Sequence, residues 1–197
     1  MGKREDIRAD LTERLLQAAI DEICANGLKG LRARDITARA KCALGTIYKC
    51  YTDLDDLIMH VNSHTLHALH THLSSVAKKW PNPHDRMVAL AKGYAGFAQS
   101  HQPQWAAIFD HELPVDRDIP DWHHEDQARL LKIIAEALGE IYPNAQRDRL
   151  IERAKTIFSA AHGVIAFALQ QRFSGVDQDQ LDMELEALAR MVTAVQP

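Results

Sequence analysis

Apolar residues recur at spacings of three and four along almost the whole of this chain, and that period leaves little choice of fold. Leu11, Leu15, Leu16, Ala19, Ile20 and Ile23 mark a first stripe, and Leu54, Leu57, Ile58, Val61, Leu69, Leu73 and Val76 a second, longer one. Each residue turns about 100° around a helix axis, so these positions share one face of a helix. Met87, Leu90, Ala91, Tyr94, Phe97 and Ala98 form a third stripe, and Leu130, Leu131, Ile134, Ala137, Leu138 and Ile141 a fourth. No segment alternates as a half-buried strand does, and there is no internal repeat. The expected fold class is all-α, with about nine helices.

The stops between these stripes have their own chemistry. Asn26-Gly27-Leu28 ends the first helix, with Gly27 free to turn left-handed and Leu28 to pack back. Short helices fit Arg34 to Ala40 and Leu44 to Cys50, joined by a turn at Lys41 to Ala43. The Asp53 carboxylate can accept from the free N–H groups of a long helix running from about Leu54 to Lys79. Trp80-Pro81-Asn82-Pro83 stops that helix, because proline blocks continuation. Pro103 interrupts again before a short helix holding Trp105, Ile108 and Phe109. Glu112 to Asp121, with Pro114 and Pro120, reads as a loop. Tyr142-Pro143 ends the fourth stripe, a long helix follows from about Ala145 to Arg172, and Ser174-Gly175 closes it. Asp177 and Gln180 resemble a capping box for a last helix ending near Val195.

Composition narrows the class. With 46% hydrophobic residues, 9 Gly and 7 Pro, the chain is neither disordered nor collagen-like. Three cysteines, Cys24, Cys42 and Cys50, are too few for a disulfide-built secreted protein and fit a reducing cytosol. The start has no apolar run of the kind a signal peptide needs. The longest apolar stretch without a charge, Thr156 to Gln171, is 16 residues and too short for a bilayer. A soluble, cytoplasmic protein with no membrane partner is expected. The net charge of −4 hides an asymmetry. Between Leu28 and Tyr51 stand six basic residues (Lys29, Arg32, Arg34, Arg39, Lys41, Lys49) against Asp35 alone, a local +5 that leaves −9 elsewhere. A basic island in an acidic chain points to a polyanion site or to a solvated helical face.

That island falls on a specific layout: a helix of about four turns, then two short helices joined by a tight turn. Helices so short are not stable alone. A helix-turn-helix module is built this way, with its second short helix in the DNA major groove. The residues also resemble a family. Arg34-Asp35-Ile36, Ala40, Leu44-Gly45-Thr46-Ile47-Tyr48-Lys49, Tyr51 and Leu57 resemble the TetR/AcrR family of bacterial regulators over about residues 11 to 60. Lys41 replaces the usual turn glycine, Cys42 the usual valine and Ala43 the usual serine. Cys50 and Leu54 stand where an aromatic or histidine and a phosphate-binding lysine are common. The resemblance implies a DNA-binding domain over residues 1–53 and a recognition helix at Leu44 to Cys50. Its implied contacts are Thr46 and Lys49 to bases or phosphates and Tyr48 to a phosphate. Gly45 allows close approach, Arg34, Lys41, Ala43 and Leu44 flank these, and Ile47 faces the core.

Residues 54–197 would then form a regulatory and dimerisation domain. It resembles the family branch with a Trp…His-Gly pattern in the penultimate helix, with Ala161-His162-Gly163 matching the His-Gly and Phe158 in place of the tryptophan. The uncharged helix from Thr156 to Leu169 is apolar on more than one side, as for a helix buried all round. In a homodimer of this family it packs with the last helix into a four-helix interface. Tyr94, Phe97, Trp105, Phe109, Trp122 and Phe158 are candidates for an apolar ligand pocket, with His162 adding one polar contact. The implied function is a sequence-specific regulator, a homodimeric repressor of double-stranded operator DNA released by a small, mostly apolar effector, with no cofactor.

Two further features invite other readings. His60, His64, His67 and His70 lie on one arc of the long helix, at a spacing that can gather metal ligands. That arc lies opposite the Leu57, Ile58, Leu69 and Leu73 face and should meet solvent or a neighbouring subunit. Cys42 and Cys50 lie beside basic residues that would favour a thiolate, hence a redox sensor. The alternatives are therefore a helical metal-binding or redox-sensing protein, or a small helical enzyme. For an enzyme, neither a Gly-rich phosphate loop nor the H-E-x-x-H or G-x-S-x-G pattern is present.

Overall fold

A computed structural model describes residues 2–170 and 175–194, and these contain helices and no strand. Their order is α1 (Lys3–Gly30), α2 (Ala33–Arg39), a 3₁₀ turn (Leu44–Thr46) running into α3 (Ile47–Cys50), α4 (Leu54–Ala77), α5 (Pro83–Ser100), α6 (Gln102–Asp110), α7 (Asp121–Ile141), α8 (Arg147–Gln170) and α9 (Leu181–Ala194). The all-α expectation holds. The expected helix end at Arg172, the Ser174 stop and the last residue of the final helix, Val195, lie outside the described residues.

The breaks follow the local chemistry. Gly27 adopts φ 67° and ψ 171° inside α1, so its missing Cβ separates the long helix from the short turn that follows. Asn82 caps α5: its Oδ1 accepts from the backbone N–H of His84 at 2.9 Å and of Asp85 at 3.2 Å. Pro83 takes the first helical position, where a missing N–H costs nothing. The Asp53 cap forms as expected, with Oδ1 accepting from the N–H of Asp56 at 2.8 Å.

The helices gather into two compact units. The first holds the chain through Thr65 together with His101–His123. Its core is Leu15, Ala19, Ile23, Ile36, Ile47, Leu57 and Val61, all but inaccessible to water, and α6 adds Ala107. The second unit holds Leu66–Ser100 and His124 onward. Leu69, Leu138, Ile165, Leu181 and Leu185 are its largest fully buried side chains among the described residues, and α9 packs on α5 and α8. No helix of the described residues is long and apolar enough to cross a membrane.

Within a single chain α8 is covered on one side only. Ile157, Ala161, Ile165, Ala168 and Leu169 face inward, whereas Thr156, Ser159 and Phe167 are exposed. From Thr156 to Leu169 the helix lacks charge on both faces but is covered on only one, and a Cβ added at Gly163 would meet no neighbour within 4 Å.

Candidate nucleic-acid interface

Helix α3 has four residues and cannot hold itself together, so its position comes from its surroundings. Ile47, 1% exposed, is its anchor in the core shared with Ile36 and Leu57. Tyr51, just beyond, is buried and donates its hydroxyl to the Thr12 carbonyl of α1 at 3.0 Å. Burial pushes its pKa far above the ordinary tyrosine value. Arg14 donates through Nη2 to the Ala40 carbonyl at the end of α2. Arg39 donates through Nε to the buried Glu22 carboxylate at 2.8 Å, so that charge is compensated.

The turn between α2 and the 3₁₀ segment places Lys41 at φ 53°, a left-handed conformation a non-glycine residue rarely takes. This is the position where the resemblance expects glycine, so the backbone keeps the turn and the lysine bears the strain. With Ile47 inward, Leu44 and Tyr48 are turned out, 51% and 61% exposed. Arg34, Lys41, Ala43, Gly45 and Lys49 are exposed as well, and Thr46 is half-buried. The structure thus brings the expected DNA-contacting residues onto the water-facing side of α2, the turn and α3. Arg34, Lys41 and Lys49 form no salt bridge among the described residues, unlike Arg39. An exposed helix with a tyrosine, uncommitted cations and a glycine for close approach can enter a groove and meet phosphates.

The aromatic candidates divide between the two units. Trp105, Phe109 and Trp122 belong to the first. Trp105 is buried and lies at a tilt to Phe109 (5.5 Å), and Phe109 is 40% exposed. Trp122 stacks on His60, with centroids 4.7 Å apart and planes 12° from parallel. In the second unit, Tyr94 and His162 Nδ1 share a hydrogen bond of 2.9 Å. Phe158 lies 5.5 Å from the Tyr94 ring and stacks on His162. Burial lowers the His162 pKa, which favours the neutral imidazole. Phe97 is buried near His72. A small cavity of about 50 Å³ opens here, lined by Tyr94 and Phe158 and otherwise by aliphatics such as Leu69, Leu130, Ile134 and Leu185. Leu69, Leu130 and Ile134 belong to the helical stripes of the sequence, which do not mark them as cavity lining, since a cavity wall and a packed core have the same helical period.

The histidine arc does not act as one face. His60 is half-buried in its stack on Trp122, and His67 bonds the buried Asp126 at 2.7 Å, while His64 is exposed. Among the described residues no group of three or more His, Cys, Asp or Glu is arranged to hold a metal ion. Cys42 and Cys50 are half-buried free thiols against the core of the first unit.

An all-helical chain whose N-terminal unit presents two short helices joined by a tight turn has the architecture of the helical transcriptional regulators. Residues 87–195, more than half of the chain, match the family described as "Tetracyclin repressor-like, C-terminal domain". This chain is a member of the tetracycline-repressor-like (TetR) family of transcriptional regulators, which are not enzymes. No curated protein sequence matches it. Solved structures share the fold at low identity. A protein of unknown function from Rhodococcus sp. RHA1 has 18% identity and a TM-score of 0.75, covering 93% of this chain and 94% of its own. A TetR-family regulator from Streptomyces coelicolor has 16% identity and a TM-score of 0.68, covering 93% and 98%. The regulator FadR from Bacillus subtilis, solved with stearoyl-CoA, has 13% identity and a TM-score of 0.67, covering 92% and 97%.

Proposed function

We propose that this regulator binds double-stranded operator DNA as a homodimer and represses transcription until a small, mostly apolar effector releases it. The observation that carries the reading is the outward face of the recognition segment: Leu44, Tyr48 and Lys49 exposed beside Lys41 while Ile47 is buried. Phosphate contacts from Lys41, Lys49, Arg34 and Tyr48 set affinity, and Thr46, Leu44, Ala43 and Gly45 meet the bases at close range. DNA binding is assigned to residues 1–53 and regulation to residues 54–197, in the cytoplasm, where the operator is.

Dimerisation is supported by apolar residues left in water on the last two helices: Phe167 of α8 and Met183 and Met191 of α9, each more than half exposed. The open position at Gly163 gives a partner helix room for close approach. A two-fold dimer presents two recognition segments and therefore reads an approximate palindrome.

Effector binding is assigned to the cavity at Tyr94 and Phe158, where Tyr94, hydrogen-bonded to His162 behind the wall, is the polar lining residue. At about 50 Å³ it is smaller than the apolar cavity of about 150 Å³ that holds benzene, so an effector has to widen it. A ligand that binds the widened state better than the closed one shifts the protein toward it, and only that difference is available for induction. A coupling of about 1–3 kcal/mol loosens DNA about 5–150-fold. Thermal-shift screening of apolar compounds, followed by operator release with each hit, tests this. Hits that stabilise the protein and leave operator affinity unchanged would separate the cavity from DNA control.

A further inference from the structure

Resting on that DNA-binding reading, the geometry points to a second layer of the reading head: the segment from His111 to Trp122 positions the recognition helix without touching DNA. The α3–α4 junction, residues 51–60, is gripped from this segment at three places inside the first unit. Arg117 donates through Nη1 to Asp53 Oδ2 at 2.6 Å. His111 Nε2 lies 3.1 Å from Asp55 Oδ1, with the imidazole nearly buried. Trp122 stacks on His60, whose ring meets Tyr51 edge-on at 5.4 Å, and Tyr51 in turn holds α1.

The Asp53 contact ties two functions to one carboxylate. One oxygen caps α4 and the other takes the arginine. The Arg117 guanidinium, with the cap, keeps the Asp53 carboxyl below its ordinary pKa, so the pair is charged near neutrality. Helix α3 ends at Cys50, three residues before Asp53, and has one buried anchor, Ile47. A short helix held only at Ile47 and, just beyond its end, at Tyr51 can still rock about that line. Holding the junction from outside the helix-turn-helix removes that freedom. Arg117, His111 and Trp122 are therefore positioning residues: they act through Asp53, Asp55 and His60 on the segment that meets DNA.

Charge provides a test that separates positioning from plain electrostatics. Arg117→Ala removes a positive charge and Asp53→Asn removes a negative one, so a field effect on a polyanion changes affinity in opposite directions. Asparagine caps helices as well as aspartate, so Asp53→Asn removes the ion pair and keeps the cap. The clamp instead requires both variants to weaken operator binding, by up to about fivefold for a partly exposed pair. The double variant should be no weaker than either single one. Arg117→Lys should recover most of the loss. The slope of log affinity against log salt should stay at the wild-type value, since Arg117 neutralises no phosphate. Amide hydrogen exchange, read without DNA, should speed up over residues 44–56 in both single variants. Opposite signs in the two variants, or unchanged exchange over that span, would overturn the clamp. A wild-type protein that binds no duplex would overturn the DNA reading, while the exchange arm still decides whether the clamp exists.

Discussion

Lys41 allows one substitution to be read in two opposite directions. At φ 53° an L-residue carries a strain of about 1–2 kcal/mol. Glycine has no such strain, but its looser unfolded chain gives back about 0.5–1 kcal/mol. Lys41→Gly should therefore stabilise the protein by up to about 1.5 kcal/mol, a rise of up to about 6 °C in Tm for a chain of this size. The same change deletes an exposed cation from the DNA-facing turn. If Lys41 neutralises one phosphate, affinity falls and the salt slope drops by about 0.9. Lys41→Ala is the control. It loses the same charge but keeps a Cβ at positive φ, so its affinity should match the glycine variant while its Tm does not rise. Thermal unfolding by circular dichroism and anisotropy titrations at four salt concentrations give both readouts. A Tm that falls in Lys41→Gly would refute the strain argument. A slope identical to wild type in both variants would refute the phosphate contact.

Ile47→Val removes one methyl from the anchor of α3 and should cost about 0.5–1.5 kcal/mol by denaturant unfolding, with faster exchange concentrated over residues 44–50. Phe167→Glu combined with Met191→Glu puts charges on the proposed two-fold face; light scattering should then show monomers, with operator affinity lost in parallel. His162 titrates below its ordinary value of 6.5 in the folded protein, so the unfolded chain takes up the proton first. Its contribution to stability is intact above about pH 6.5 and is lost as pH falls below it, and denaturant titrations from pH 7.5 to 5 should show a shallower decline in His162→Gln.

The sequence carries local information well. The period of Leu15, Ala19 and Ile23 marks the buried face of α1, Asp53 caps where its position says it should, and the turn expected at Lys41 has the left-handed backbone a glycine would supply. It carries pairing between distant segments poorly. Nothing in a helical stripe says which element covers it, so His60 reads as part of a solvent-facing histidine arc and is in fact stacked on Trp122. Arg117 sits in a proline-bounded loop and His111 just before it, at the end of α6, with no pattern of their own, and their partners lie 64 and 56 residues away. The aromatic set shows the same limit. Tyr94, Phe158 and His162 come together, whereas Trp105, Phe109 and Trp122 serve the first unit. Large aromatics fill cores and line cavities alike, and composition does not distinguish the two uses.

The claim that the outward face of residues 44–50 reads DNA is tested most directly by one titration series. Wild-type protein and Lys49→Ala are titrated by fluorescence anisotropy onto a duplex selected from a random library and onto a scrambled duplex, from 50 to 300 mM salt. Tighter binding of the selected duplex by about 10³-fold or more is expected for specific readout. In Lys49→Ala the affinity for both duplexes should fall, with a salt slope smaller by about one. Equal affinity for the selected and scrambled duplexes, with Lys49→Ala indistinguishable from wild type, would contradict the account.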